Sequence, residues 1–278
     1  MTDVRSEAAP AVSAKARGDS HGTFIWYELM TSDPDGAKAF YDALVGWDIE
    51  PEPTGEQPMD YRMIRRSDGG NAGGVLRLDA DMAAQGARPV WLGYVCVDDV
   101  DSTTSEIETA GGKTLMVADI AGVGRIAMVA DPQGAPFYVM TPTPPASDPD
   151  AKSDVFSATA AQRVNWNELS TTDPASAREF YGDRFGWKSD DFMPMGDIGE
   201  YRFLDHRGDR IGALCGVMAG QQPKWRYYIR VPSIAAAKAS IEQNRGTVAM
   251  GPHEVPGGDW IIIGIDPQGA EFALVGGK

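Results

Sequence analysis

Residues Trp26 to Trp47 read WYELMTSDPDGAKAFYDALVGW. Exactly the same frame returns 140 positions later, where Trp166 to Trp187 read WNELSTTDPASAREFYGDRFGW, ungapped and with 11 of 22 positions identical. A closing phrase returns too, DPQGAPF at Asp131 to Phe137 and DPQGAEF at Asp266 to Phe272. The period is far longer than the roughly 20–50 residues of a solenoid unit. The chain must therefore hold two copies of a whole domain, and 278 residues suit two domains that each bury a core. The expected division is a disordered tail over 1–21, a first domain over 22–142, a Pro- and Ser-rich linker over 143–160 and a second domain over 161–278.

Each copy opens on a short aromatic strand, Phe24 to Met30 and Val164 to Ser170. Asp33-Pro34 and Asp173-Pro174 then mark helix starts, with Asp as the cap and Pro in the first turn. Apolar residues follow at helical spacing, and Gly46 and Gly186 end the helices. Strands follow around Tyr61 to Ile64 and Gly74 to Leu78, matched by Tyr201 to Leu204 and Ile211 to Val217. The pattern then restarts within each copy: strand at Val90 to Val97, helix at Asp99 to Thr109, more strands; and strand at Lys224 to Val231, helix at Ser233 to Asn244, more strands. Each copy is thus a pair of βαβββ modules, an α+β arrangement. Helices cover one face of each curved sheet, which leaves the other face to line a cavity between paired modules.

The balance of 25 basic and 40 acidic residues gives a net charge of −15, which argues against nucleic acid or an anionic membrane as partner. No apolar run is long enough to span a bilayer. The first 20 residues lack the apolar core of a secretory signal, so the expected location is the cytoplasm. Cys96 and Cys215 sit in apolar strands and read as buried thiols rather than a disulfide framework. His21, His206 and His253 read as tail-edge, turn and loop histidines without a ligand role. The DPQG phrases read as tight turns.

The succession of strand, Asp-Pro helix, Phe-Tyr, Gly-Trp and later DPQG with a strand resembles the vicinal oxygen chelate superfamily, which includes glyoxalase I, extradiol dioxygenases and the bleomycin-resistance proteins. TTDPASAREFY and GPHEVPGGDWI look like the tandem two-domain bacterial glyoxalase-like proteins. The resemblance covers nearly all of residues 22–276 and implies two glyoxalase-like domains. It also implies that metal-dependent members take a His, Gln or Glu from the first strand of each module and a carboxylate near each module's end. Counting from the shared motifs, those positions hold Trp26, Leu92 and Tyr138 in the first copy and Trp166, Arg226 and Ala273 in the second. No standard metal site is expected in either copy, and no cofactor. Were a metal bound, Glu28 and Glu168 would be its anchors.

With a period of two, Trp26 shares a strand face with Glu28, and Trp166 with Glu168. Family precedent turns that face to the cavity. The expected site is therefore a carboxylate, Glu28 or Glu168, in catalytic or orienting position within an aromatic wall. The wall candidates are Trp26, Tyr61, Arg62, Trp91 and Tyr94 in the first copy, and Trp166, Tyr201, Arg202, Trp225, Tyr227 and Tyr228 in the second. His253, with Glu254, is a candidate for the rim of the second site only, because the first copy has no counterpart. Such a wall suits a flat or cationic organic molecule, held by stacking and cation–π contact. The leading expectation is a small-molecule binding protein without a metal, monomeric or homodimeric. The alternatives are a metal-dependent glyoxalase-type lyase or isomerase acting on an α-oxoaldehyde adduct and, third, an extradiol-type dioxygenase. A metal-free isomerase would also need Arg62 or Arg202 to stabilise an enediolate.

Overall fold

The computed structural model describes residues 17–54, 59–196, 199–218 and 220–278; most of the expected tail, 1–16, lies outside them. The first half runs β1 (Phe24–Thr31), α1 (Pro34–Val45), β2 (Asp48–Ile49), β3 (Tyr61–Arg65), β4 (Asn71–Arg77), α2 (Ala80–Ala84), β5 (Val90–Cys96), α3 (Val100–Thr109), β6 (Lys113–Ile120), β7 (Gly124–Ala130) and β8 (Pro136–Pro142). The second runs β9 (Val164–Thr171), α4 (Pro174–Phe185), β10 (Phe192–Pro194), β11 (Glu200–His206), β12 (Asp209–Gly216), β13 (Lys224–Ser233), α5 (Ile234–Gln243), β14 (Thr247–Glu254), β15 (Trp260–Ile265) and β16 (Glu271–Gly277). Each half forms one eight-stranded mixed sheet in the same order, β2-β3-β4-β1-β5-β8-β7-β6 and β10-β11-β12-β9-β13-β16-β15-β14. The two modules of a sheet meet where β1 and β5, or β9 and β13, pair antiparallel. The expected α+β class and paired βαβββ modules are what the chain forms. Among the described residues no helix is long and apolar enough to cross a membrane.

The helix signals act as their chemistry requires. Asp33 accepts from the Gly36 N–H at 3.0 Å, and Asp173 from Ser176 at 3.0 Å. Gly46 and Gly186 close the helices in the left-handed region, at φ 78° and 73°.

Inner faces of the two sheets share one core, which includes Tyr27, Leu29, Phe40, Val95 and Phe137 from the first half and Leu169, Phe180, Trp225, Tyr227 and Phe272 from the second. Polar side chains cross it in matched pairs. The Trp91 indole donates to the Tyr41 hydroxyl (3.0 Å), which donates to Asp266 of the other half (3.0 Å). Trp225 donates to Tyr181 (3.1 Å), which donates to Asp131 (3.0 Å). Trp47 donates to the Gln162 carbonyl and Trp187 to that of Gly22, at 3.0 and 2.7 Å. The DPQG phrases are turns, as expected: Asp131 and Asp266 each accept two backbone N–H groups of their own turn. They are also the acceptors that tie each half to the other.

Several expectations need correction. The segment 143–160 is exposed over 143–154 and is anchored at its far end: Val155 is buried in the shared core, and Asp154 pairs with Arg66 (2.6 Å) and Arg163 (2.8 Å). The end of the expected tail is docked, with Gly18 N–H on Asp98 (3.0 Å) and the His21 ring on the Arg184 carbonyl (2.8 Å). His21 and His206 are buried rather than exposed, and the His206 ring meets the His21 carbonyl at 3.0 Å. His253 lies on β14, an edge strand, and not in a loop. The short elements α2, β2 and β10 carry too little pattern to be anticipated. Both cysteines are buried and unpaired, and burial pushes each thiol up to about 11.

Replacing Tyr181 by Phe strands a buried indole N–H and one oxygen of a buried carboxylate. The expected loss is about 1–3 kcal/mol, measured by chemical denaturation; a loss near zero would show that this relay does not hold the halves together.

Candidate functional site

Strand alternation sorts the expected site residues into two groups. On β1, Trp26, Glu28 and Met30 point to the outer face, while Tyr27 and Leu29 enter the shared core. On β5, Leu92 and Tyr94 point outward and Trp91 inward. Tyr61 of β3 and Ala118 and Ile120 of β6 join the same outer cluster, although their strands lie near opposite ends of the sheet. The sheet thus curls around its outer face. Met82 and Ala87, in the connection from β4 to β5, pack against this cluster. That connection spans 12 residues (78–89), against seven (217–223) in the second half.

Glu28 sits at the centre of this face, 2% exposed. Tyr94 donates to its Oε2 at 2.8 Å. The Tyr138 ring stacks on Tyr94, centroids 4.2 Å apart. The Trp26 indole donates to the Tyr61 hydroxyl at 2.7 Å. Tyr61 lies over Gly74, the β4 partner of Glu28, where a Cβ would meet the phenol oxygen at 2.2 Å; a side chain at 74 would expel it. Glu28 Oε1 is buried and has no hydrogen-bond partner among the described residues. Burial drives the Glu28 carboxyl up to about 7, and the Tyr94 hydrogen bond, with the Tyr61 hydroxyl close by, pulls it only partway back. The carboxyl can therefore give or take a proton near neutrality.

The second half repeats the geometry with a different electrostatic result. Trp166 donates to Tyr201 (2.8 Å), which donates to Glu168 Oε2 (2.8 Å), and Tyr228 lies at 3.2 Å from the same oxygen. Arg226, however, stands where the first half has Leu92, and its guanidinium meets Glu168 Oε1 at 2.5 Å. Arg226 also donates to Glu271 (3.0 Å), which Lys224 holds at 2.6 Å. Burial alone would raise the Glu271 carboxyl, but Arg226 and Lys224 hold it below its usual range. The matching first-half residues, Val90 and Pro136, carry no charge. Ala273 replaces Tyr138, and the buried outer cluster is smaller, formed by Tyr228, Ile263, Ala273 and Val275.

The structure brings Trp26, Tyr61, Tyr94 and Glu28 together, and likewise Trp166, Tyr201, Tyr228 and Glu168. It takes the other candidates elsewhere. Trp91, Trp225 and Tyr227 lie in the shared core, because each alternates with an outward residue of its own strand. Arg62 alternates with Tyr61 and pairs with Asp60 (2.8 Å) and Asp35 (2.6 Å). Arg202 pairs with Glu200 (2.6 Å) and lies over the Phe192 ring. Neither arginine can stabilise an enediolate beside its glutamate. His253 and Glu254 are exposed on the edge strand. Of the two residues that stand at expected metal-ligand positions, Arg226 pairs directly with Glu168, and Tyr138 stacks on Tyr94, which bonds Glu28. Both lie on the outward parity of their strands: Arg226 pairs opposite Glu168 on β13, and Tyr138 of β8 pairs with Tyr94, the β5 partner of Trp26. A separate surface groove of about 470 Å³ between α3 and α4, lined by Ser102, Glu106, Asp183 and Arg184 among others, includes the buried Arg184 Nε, unpartnered among the described residues, but no aromatic wall.

A divalent metal does not fit these residues. Those acting on Glu28 are phenol hydroxyls, with no second carboxylate or imidazole among them. In the second half a guanidinium occupies the space beside Glu168 that a cation would need. Among the described residues no three His, Cys, Asp or Glu side chains converge.

Comparison with known proteins agrees with this architecture. Residues 26–140 match the family model for a glyoxalase-like domain. The solved structures of similar fold include the Mn(II)-bound glyoxalase of Novosphingobium aromaticivorans (TM-score 0.60, 18% identity, 92% of this chain and 82% of that one). A variant of homoprotocatechuate 2,3-dioxygenase from B. fuscum is another (TM-score 0.62, 15% identity, 91% and 70%). Residues 26–140 thus carry a glyoxalase-like domain, and the second half repeats its sheet order. Among the chain's relatives is CFP32 of Mycobacterium tuberculosis, whose designation as a glyoxylase is provisional, 28% identical over 91% of this chain and 94% of that protein. The anthracycline biosynthesis protein DnrV of Streptomyces peucetius is 28% identical over 91% and 93%.

The Glu28 carboxyl makes a signed prediction. Its folded value, about 7, lies above the ordinary 4.5. The folded state thus binds the extra proton between those values, and the associated stability is fully present below about pH 4.5 and lost as pH rises through 7. Glu28→Gln cannot ionise, so it should gain on the wild type by an amount on the order of 3 kcal/mol between pH 4.5 and 8. Parallel denaturation curves across that range, with a constant difference between the two proteins, would refute the shift.

Proposed function

We propose that the outer face of the first domain binds a small, flat organic molecule between its aromatic side chains, without a divalent metal. The observation that carries this reading is the orphaned, buried Oε1 of Glu28 amid Trp26, Tyr61, Tyr94 and Tyr138. An unsatisfied buried oxygen is costly, and a ligand that donates to it recovers that cost. The phenol and indole rings supply stacking area with little loss of side-chain freedom. Trp26 and Tyr61 are only partly buried, so they are the side chains that a ligand would displace on entry. The anthracycline biosynthesis proteins among the relatives support a polycyclic aromatic class, since anthracyclines are flat fused-ring molecules.

The test uses 1,4-dihydroxyanthraquinone as probe, with titration calorimetry and quenching of tryptophan fluorescence. The wild-type protein should bind it equally before and after EDTA treatment. Trp26→Ala should weaken binding about tenfold or more, given the worth of one aromatic contact. Unchanged affinity in Trp26→Ala would sink the pocket assignment. Stoichiometric Ni, Zn, Fe or Mn on purified protein, with EDTA-sensitive turnover of a methylglyoxal–thiol adduct, would establish the glyoxalase-type alternative instead.

A further inference from the structure

The two domains give the same glutamate opposite surroundings. Glu168 has a counter-ion built into its own sheet, Arg226 at 2.5 Å, and the cation is itself steadied by Glu271 at 3.0 Å. Glu28 has the same strand position, the same Trp-to-Tyr hydrogen bond beside it and the same tyrosine from the neighbouring strand. Its cation is missing, because Leu92 occupies the β5 position that Arg226 occupies on β13. What remains is a buried carboxyl with one oxygen unsatisfied, facing aromatic rings.

We propose that the first-domain pocket takes an aromatic cation, a flat ring system carrying a protonated amine, and that Arg226 is the built-in counterpart of that cation in the second domain. The inference rests on the aromatic pocket proposed above and deepens it by naming the ligand's charge. An ammonium N–H donates to Glu28 Oε1 and supplies the positive charge that the site lacks, while the ring system lies against Trp26, Tyr61 and the Tyr94–Tyr138 pair. A charge-assisted bond in a desolvated site is about twice as strong as a neutral one, and the aromatic faces add cation–π attraction. The ligand should therefore bind in its charged form against an ionised Glu28. In the second domain Arg226 fills the same place, so that domain should not compete for the ligand. The net charge of −15 also draws cations toward the surface.

The experiment compares 9-aminoacridine, a flat cation at neutral pH, with acridone, a neutral tricycle of similar outline, by titration calorimetry on the full chain. The expected result is one equivalent of 9-aminoacridine, bound at least about tenfold more tightly than acridone. Glu28→Gln should erase that preference, weakening 9-aminoacridine far more than acridone. Leu92→Arg should abolish binding of the cation by restoring an internal counter-ion. Because an added arginine can unfold the domain, Arg226→Leu carries the same test in reverse, and a second equivalent of 9-aminoacridine should appear. Failure of that second equivalent in folded Arg226→Leu would overturn the role given to Arg226. Equal affinity for the two probes, with quenching that still depends on Trp26, would overturn the cation but keep the aromatic pocket. Binding of neither this pair nor the anthraquinone would overturn both readings.

Discussion

The arrangement of the whole molecule depends on two buried aspartates that are satisfied only across the domain interface. Asp131 takes two N–H groups from its own turn and a hydroxyl from Tyr181 of the other domain, and Asp266 does the same with Tyr41. Both carboxyls are raised by burial, a sign of how little water reaches them. A buried carboxylate with a missing donor costs far more than an ordinary hydrogen bond contributes. Each DPQG turn is therefore held to the opposite helix, and each of those tyrosines is held in turn by a tryptophan. Much of what the repeat preserves serves this interface: Tyr41, Trp47, Asp131 and their counterparts all face inward. With the inner faces committed to each other, the outer faces are where a ligand can meet the sheets.

At the centre of the interface the two copies depart from symmetry in a complementary way. Tyr27 and Asn167 hold equivalent positions and bond to each other at 2.8 Å. Gly93 and Tyr227 are equivalent too, and the Tyr227 hydroxyl accepts from the Gly93 N–H at 2.8 Å. A Cβ at position 93 would come within 2.9 Å of the Tyr227 ring. Two identical domains would place tyrosine against tyrosine at one point and leave a void at the other. One large and one small residue at each equivalent pair close the gap, a difference that a chain with both copies can encode and a homodimer of one copy cannot. The interface has thus become specific to this pairing of unlike halves.

Much of this is legible in the sequence, and the rest is hidden for distinct physical reasons. Capped helices, module order and the shared face of Trp26 and Glu28 follow from local chemistry, and the structure shows them. The aromatic wall was harder. Trp91 and Tyr94 lie three residues apart on one strand, so alternation forbids both from lining the same face, and Tyr61 excludes Arg62 in the same way. The strands gave no contrast between faces because both are buried, and a doubly buried strand is apolar throughout. The interdomain role of Asp131 was invisible for another reason. Its turn chemistry already accounted for the residue, and its third bond comes from a helix 50 positions away. The pairing of Arg226 with Glu168 likewise appears only once the register of β13 against β9 is known.

The divergence of the two glutamates follows from this division of labour. A carboxyl buried among phenol rings is destabilising when ionised, and the second domain removes the problem with Arg226, Glu271 and Lys224. The first domain keeps it, with Leu92, Pro136 and Val90 in those places and Tyr138 added to the wall. Such a residue persists in a fold only where the surrounding structure can carry its cost, and the interdomain core does so without involving the outer face. A pocket that is least stable when empty and charged is also one whose occupant gains most by entering it. On this view duplication supplied one domain able to hold its carboxyl internally neutralised, and another able to leave it uncompensated.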